Sequence, residues 1–494
     1  MVVCPARLPP RTADGGRETT RQERMKVRGG YDVPLAGRPA AEVLALPEPA
    51  ALELPLRARR LHFADVRVAD GARVGAGDVL AVDAEHFGAP LLAPRGGTVR
   101  LGGESIALSD LTVEDERPWR PGPDDAAGAS SPAAARCRKL VALGAWQFFE
   151  DAYTGELPDP AAAPRAVIVS TTCLEPFGAR GDAQLARRVA ALARGLEHLQ
   201  SLLEYQPMYL VVPAVRAALA EEIHDIVRGR AQVEVVTIPA RYPHDNFALV
   251  ARRAGLKRGG GPVWALRTEG VLAVDHALTA DRPCTVRIVA VGGPGVARPA
   301  HVKAMAGYPL RAILRFCGAC DAVRVLAGGA MTGLEIAPDA HLHAECTAVT
   351  VLPDRPRREM LGFARAGADR QSYDRTFLSR LRRPFAEALT TELRGERRAC
   401  IACGLCEDVC PAGIWPHLIH KLLSGGSPEG AERARVDLCV RCGLCSYVCP
   451  SKIELMGQFI EAQRAVEAER AAEREHRAGA AAAQAAAARQ EVRP

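Results

Sequence analysis

Eight of the fifteen cysteines stand in two runs whose spacing suits an iron–sulfur ligand set. Cys400-Ile-Ala-Cys403-Gly-Leu-Cys406-Glu-Asp-Val-Cys410-Pro411 reads C-x2-C-x2-C-x3-C-P, and Cys439-Val-Arg-Cys442-Gly-Leu-Cys445-Ser-Tyr-Val-Cys449-Pro450 repeats it. Three thiolates two residues apart wrap one face of a cubane, and the fourth Cys of such a run reaches the neighbouring cluster. The small Gly404 and Gly443 let backbone N–H groups approach the sulfides. The spacing therefore assigns Cys400, Cys403, Cys406 and Cys449 to one [4Fe–4S] cluster, and Cys439, Cys442, Cys445 and Cys410 to a second. Zinc sites also use C-x2-C pairs, but two complete runs with the C-P ending favour clusters. The chemistry is electron transfer: cofactors carry it, and the protein sets distance and potential. No catalytic residue is expected on the chain.

The other chemistry-bearing residues read more plainly. Cys317-Gly-Ala-Cys320, with His341, His343 and Cys346 downstream, could form a small metal site, yet a single C-x2-C pair is more often two partly buried thiols. Cys4, Cys137, Cys173 and Cys284 are isolated and read as small hydrophobes. Cys173 and Glu175 fall where a βα loop lines a cleft, and the expectation is that they face solvent. Gly292-Gly-Pro-Gly295 reads as a β-turn.

Several elements must position the clusters. Val27 to Val113 is strand-like, and its stretches VRVADGARVGAGDVL (Val66–Leu80) and LLAPRGGTV (Leu91–Val99) resemble the paired hairpins of a biotinyl/lipoyl-type barrel-sandwich. No Lys stands between Asp83 and Ala89, so covalent cofactor attachment is not expected. A Pro-, Asp-, Ala- and Ser-rich linker follows. From Arg165 to Leu256 strands alternate with helices, as in a parallel, doubly wound α/β domain. Its strand AVIVST (Ala166–Thr171) is not followed by G-x-G-x-x-G. Val263 to Leu352 is strand-rich again, 355–398 is charged and helical, and beyond Ile460 the chain is rich in Ala, Glu and Arg.

The bulk numbers exclude several classes. At 494 residues the chain needs several cores. The net charge of +6 is spread as Arg without interleaved aromatics, which argues against nucleic-acid binding. No apolar run is long enough to span a bilayer, and the first residues lack a secretory apolar core. Clustered Cys without a signal point to thiolates in a reducing cytoplasm. Met25 is a candidate true start.

On these motifs the chain resembles the superfamily of the Rnf C subunits and Nqr A subunits. Lys26-Val-Arg-Gly-Gly-Tyr-Asp-Val-Pro-Leu-Ala-Gly37 is similar to the opening of the A subunit of the Na+-translocating NADH:quinone reductase. Leu143-Gly-Ala-Trp146 with Pro164–Ser170 is similar to the start of its Rossmann-like domain. Arg358–Phe363 with Arg375–Leu378 is similar to a later motif. The paired Cys runs resemble the C subunit of the Rnf electron-transport complex. Composition reads 1–25 as a disordered N-terminus, 114–136 as a linker and 461–494 as a helical tail. The resemblance implies a multidomain α+β and α/β chain with a barrel-sandwich hybrid (26–113), a Rossmann-like domain (137–262), a β-grasp SLBB-like domain (263–352), a helical connector (353–395) and a C-terminal α-helical two-[4Fe–4S] ferredoxin domain (396–460).

The implied function is that of an electron-transfer subunit in an ion-translocating NADH:quinone or NADH:ferredoxin oxidoreductase. Its implied partners are integral-membrane subunits, with soluble ferredoxin or NADH, on the cytoplasmic face of the inner membrane. The resemblance also implies FMN and NADH, but the G-G-A-G-F-P-T loop of the Rnf subunit is missing, so no residues are assigned to them. The alternatives are a self-contained NADH/flavin-dependent reductase of the cobalamin-reductase type, or a non-catalytic iron–sulfur adaptor.

Overall fold

The computed structural model describes residues 28–113, 131–203, 206–214, 218–230, 232–354, 389 and 397–491. The expected disordered N-terminus with Met25, most of the linker, and the motifs at Arg358–Phe363 and Arg375–Leu378 lie outside the described residues, as does nearly all of the helical connector.

The chain begins with β1 (Val43–Ala45), then β2 (Leu52–Pro55), β3 (Asp65–Val66), β4 (Arg73–Val74), β5 (Val79–Asp83), β6 (Ala89–Leu92), β7 (Gly96–Leu101) and β8 (Ser105–Thr112). Strands β2 to β8 form two small sheets, ordered β2-β8-β7-β4 and β3-β5-β6, with antiparallel pairing throughout. Their inward residues Leu52, Leu54, Leu80, Ile106 and Leu108 are buried, the alternation expected of sheets with one covered face.

Next come α1 (Pro132–Ala142), β9 (Glu150–Asp151), β10 (Ala166–Ser170), α2 (Gly181–Leu185), α3 (Val189–Leu202), β11 (Met208–Pro213), α4 (Ala218–Val227), β12 (Val233–Ile238), α5 (Phe247–Arg253), β13 (Val263–Arg267) and α6 (Thr268–Ala280). The sheet order is β12-β11-β10-β13-β9, with four parallel strands and antiparallel β9 at one edge. All of β10, Ala-Val-Ile-Val-Ser, is buried, because helices cover both faces of a parallel sheet. Trp146 stacks on Phe149 at 4.2 Å and meets Trp264 edge-on at 5.0 Å, a large apolar anchor beneath β13.

The fourth, six-stranded sheet uses β14 (Val286–Gly292), β15 (Ala300–Met305), β16 (Val323–Ala327), β17 (Leu334–Ile336) and β18 (Ala348–Pro353), with α7 (Leu310–Phe316) between β15 and β16. Its order is β1-β15-β14-β18-β16-β17. Gly293 donates to Gly37 O and Gly295 to Val351 O, so Gly292–Gly295 forms a turn, with no helix opening there.

Four expected boundaries move, the last of them at residue 460. β1 pairs in parallel with β15, so Val43–Ala45 joins the six-stranded sheet and not the barrel-sandwich range. β13 pairs with β10 and is followed by α6, so the α/β unit runs past the expected end at 262. The stretch Gly259–Gly261 just before β13 is a tight turn inside the unit, with Gly259 and Gly261 at positive φ. α1 begins at Pro132, capped by Ser131 Oγ, so the linker ends before 136.

The final unit holds α8 (Leu405–Asp408), α9 (Pro416–Ser424), α10 (Pro428–Arg433), α11 (Leu444–Tyr447) and α12 (Leu455–Glu491). The expected break at 460 falls inside α12. Phe459, Ala462 and Val466 are buried, and Gln463 Nε2 donates to Val436 O and Cys439 O, both at 2.9 Å. The tail therefore starts as part of the Cys-bearing unit. Its apolar stripe was missed because it ends after about three turns.

Candidate functional site

The two Cys runs share one backbone course. Ala402 and Arg441, each just before the second Cys, have φ of 52° and 54°; Gly404 and Gly443, just after it, have 76° and 75°. These consecutive reversals curl each run into a cup. A glycine is needed at the second reversal, where it caps α8 or α11 in the left-handed region. The short helix then carries the chain to the fourth Cys, and Pro411 or Pro450 ends the run.

The folded unit sorts the sulfurs into two quartets. Cys400, Cys403, Cys406 and Cys449 line one cavity, with Ile401, His417 and Ile453 among its other walls. Cys410, Cys439, Cys442 and Cys445 line the other, with Ile414, Leu444 and Phe459. The fourth Cys of each run thus lies with the first three of the other. Among the described residues, no three His, Cys, Asp or Glu side chains gather as a single ion would require.

Burial pushes these thiols up: Cys406 and Cys439 to about 11 and Cys442 to about 12. Cys410 and Cys445 move the same way for the same reason. Backbone N–H groups oppose this, those of Ile414, Ala412 and Gly413 at Cys410 and that of Leu444 at Cys442. Sulfur donors with converging N–H groups in an apolar wall fit an iron–sulfur cluster, which must displace the thiol protons on loading.

The other candidates are scattered. Cys317 is buried at the end of α7, Cys320 is exposed with Sγ toward Ala322 O, and Cys346 is buried with Sγ toward Ala348 O. His341 approaches Glu53 at 3.6 Å, and His343 Nδ1 accepts from the Glu345 N–H. Cys137 is buried, and Cys284 points its Sγ at Ala273 O; Cys4 lies outside the described residues.

Cys173 and Glu175, expected to face solvent, are half-buried, and the Glu175 carboxylate is turned inward. Glu175 Oε1 accepts from the Thr332 N–H and hydroxyl, both at 2.8 Å, and from the Met331 N–H at 3.3 Å. Burial pushes Cys173 up to about 12 and raises Glu175. The partners lie more than 150 residues downstream, beyond the reach of any local pattern.

Sequence reasoning also missed how the α/β unit grips the Cys-bearing one. Tyr242 Oη donates to Cys442 O at 2.8 Å, and Arg252 Nη2 donates to Leu438 O at 2.7 Å. Gly30 donates to Val409 O, and Tyr31 donates to Tyr242 O. The only sequence signal was the Gly29-Gly30-Tyr31 triplet.

The family model "4Fe-4S dicluster domain" matches residues 392–450, and the model "NqrA second alpha/beta domain" matches 133–280. The A subunit of the Na(+)-translocating NADH-quinone reductase of Cellvibrio japonicus (strain Ueda107) is 25% identical over 421 residues, spanning 83% of this chain and 91% of the relative. The A subunit from Actinobacillus pleuropneumoniae serotype 3 (strain JL03) is 26% identical over 426 residues, with the same coverage. The chain resembles the A subunits of that reductase and carries a 4Fe-4S dicluster domain. The A-subunit resemblance in the α/β unit includes β13 and α6, as the sheet does. A NAD+-reducing [NiFe]-hydrogenase in the air-oxidized state aligns over 47% of this chain and 51% of its own, at 15% identity and a TM-score of 0.34. No helix among the described residues is long and apolar enough to cross a membrane.

Proposed function

We propose that this chain is an electron-transfer subunit of an ion-translocating, NADH-oxidising membrane complex of the Rnf/Nqr type, relaying electrons through two [4Fe–4S] clusters. The observation that carries the reading is the crossed sorting of eight Cys into two cavities of four. One cluster takes Cys400, Cys403, Cys406 and Cys449; the other takes Cys439, Cys442, Cys445 and Cys410. A cubane offers one iron to each of four thiolates around its outside, which suits sulfurs spread over a cavity wall. When bound, the clusters supply one-electron transfer. The chain's own residues hold them, exclude water with Ile414, Leu444, Ile453 and Phe459, and aim N–H groups at sulfur.

The partners in this reading are the integral-membrane subunits of such a complex, because the relatives are named as subunits of a quinone reductase. The finer architecture in this reading is a barrel-sandwich for the two small sheets, a Rossmann-like fold for the α/β unit and a β-grasp fold for the six-stranded sheet. FMN and NADH have no residues assigned.

The test is anaerobic purification of the full chain and of Cys403→Ser and Cys442→Ser. Each variant should lose or convert one cluster, at most roughly half of the iron, and alter a different EPR signal. Full iron and unchanged spectra in both would overturn the ligand assignment. Clusters reduced by dithionite and not by NADH alone are expected for a relay subunit. Bound flavin with rapid reduction by NADH would instead identify a self-contained reductase.

A further inference from the structure

The two runs match in backbone and differ in charge. Where the first has Ala402, the second has Arg441, at the same left-handed position before the second Cys. The α/β unit adds another cation from outside. Arg252, in the last turn of α5, reaches across the domain boundary to donate to Leu438 O at 2.7 Å, one residue before Cys439. Arg441 Nε is held by Gln463 Oε1 at 2.6 Å, so neither guanidinium swings freely.

Both charges act on the second quartet. The Arg252 charge reaches the Cys410 and Cys439 thiols, and the Arg441 charge reaches Cys439. At Cys406, in the first quartet, the leading charges are those of its neighbours Cys403 and Cys449. The lining of the second cavity is almost wholly apolar: Pro411, Ala412, Ile414, Val440, Leu444 and Phe459 surround the sulfurs. In such a medium a charge at the wall is weakly screened. Burial lowers the pKa of Arg252, but a guanidinium starts so far above neutrality that it stays protonated there.

We propose that Arg252 is a redox-tuning residue: a cation lent by the α/β unit that raises the reduction potential of the cluster held by Cys439, Cys442, Cys445 and Cys410 and leaves the other unchanged. This rests on the reading that each quartet binds a cluster. Adding an electron makes the site more negative, and a fixed neighbouring cation stabilises that added charge. Burial works the other way, since it disfavours the more negative state. Arg252 offsets part of that penalty at the buried quartet, so docking of the α/β unit sets the potential of one end of the wire.

Arg252 also anchors Leu438, and the test must separate anchor from charge. Arg252→Gln keeps a donor for Leu438 O and loses the charge; Arg252→Lys keeps the charge. The full chain is titrated anaerobically and followed by EPR, with the two signals assigned through the Cys403→Ser and Cys442→Ser variants. In R252Q the potential of the second-quartet signal should fall, with the first-quartet signal unmoved. In R252K both should stay near the wild type. If R252Q does not retain both clusters, Arg252→Met takes its place with the same readout. An unmoved potential in the neutral variant, or equal shifts in the neutral and Lys variants, overturns the proposal. A wild-type chain that never shows two signals overturns the underlying cluster reading instead.

Discussion

His244 is fully buried between the α/β unit and the Gly29–Tyr31 segment, with its Nδ1 2.6 Å from Arg253 Nη2. A guanidinium can only donate, so Nδ1 must accept and the ring must be neutral. Burial, and then the Arg253 charge, push its pKa down to about 4. The Gly29 backbone opposes that direction, Arg241 adds to it and Asp245 opposes it. In the unfolded chain a His protonates near about 6.5. The neutral form therefore contributes its full stability above that value, and the contribution is lost as pH falls toward about 4. The size is up to about 3 kcal/mol. Denaturation of the wild type and of His244→Gln between about pH 7 and about pH 4 reads it. The stability gap between them should close as pH falls; two parallel curves would remove His244 from the acid response. Nothing in the local sequence marks this residue, because Arg253 and the Gly29–Gly30 backbone become its walls only in the folded chain.

At the level of elements, the segment around Gly29–Tyr31 straps two units together. Gly30 N–H donates to Val409 O at 2.9 Å, Tyr31 N–H donates to Tyr242 O at 2.8 Å, and the Tyr31 and Tyr447 rings lie 6.4 Å apart. Gly29 has φ of 65°, and a Cβ there would stand 2.4 Å from Cys410 O. Both the conformation and the approach demand glycine. Gly29→Ala should cost about 1–3 kcal/mol. It should lower the temperature at which cluster absorbance is lost, relative to the wild type; an unchanged melt would show that the strap carries no load. The sequence displayed this pair, and the resemblance to the A-subunit opening gave it significance, but its contact at Cys410 lies hundreds of residues away. The same limit explains β1, whose short Val-Leu-Ala run finds its place beside β15 only in three dimensions.

For the whole molecule, the cup of each Cys run was legible because it follows from a few consecutive residues, whereas the meeting of each fourth Cys with the other run joins residues some tens of positions apart. Periodicity likewise made the α/β unit visible, because β10 is uniformly apolar and α3 repeats Leu at helical intervals. Which quartet faces inward was not legible, since docking decides it. The second quartet lies under the Tyr242 and Arg252 contacts, and a Cβ at Gly443 would meet Met331 O in the loop between β16 and β17. The first is open: Cys403 is exposed, and Ile401 is 66% exposed at its cavity. A small oxidant must reach a cluster to destroy it, so access sets the order of loss. Limited ferricyanide treatment of the reconstituted chain should remove the EPR signal missing in Cys403→Ser well before the one missing in Cys442→Ser. Equal rates of loss would mean that the α/β unit does not cover the second quartet in solution. The slower signal should also become as fragile as the first when Gly29→Ala loosens the strap, because the same docking that orders the units shields the inner site.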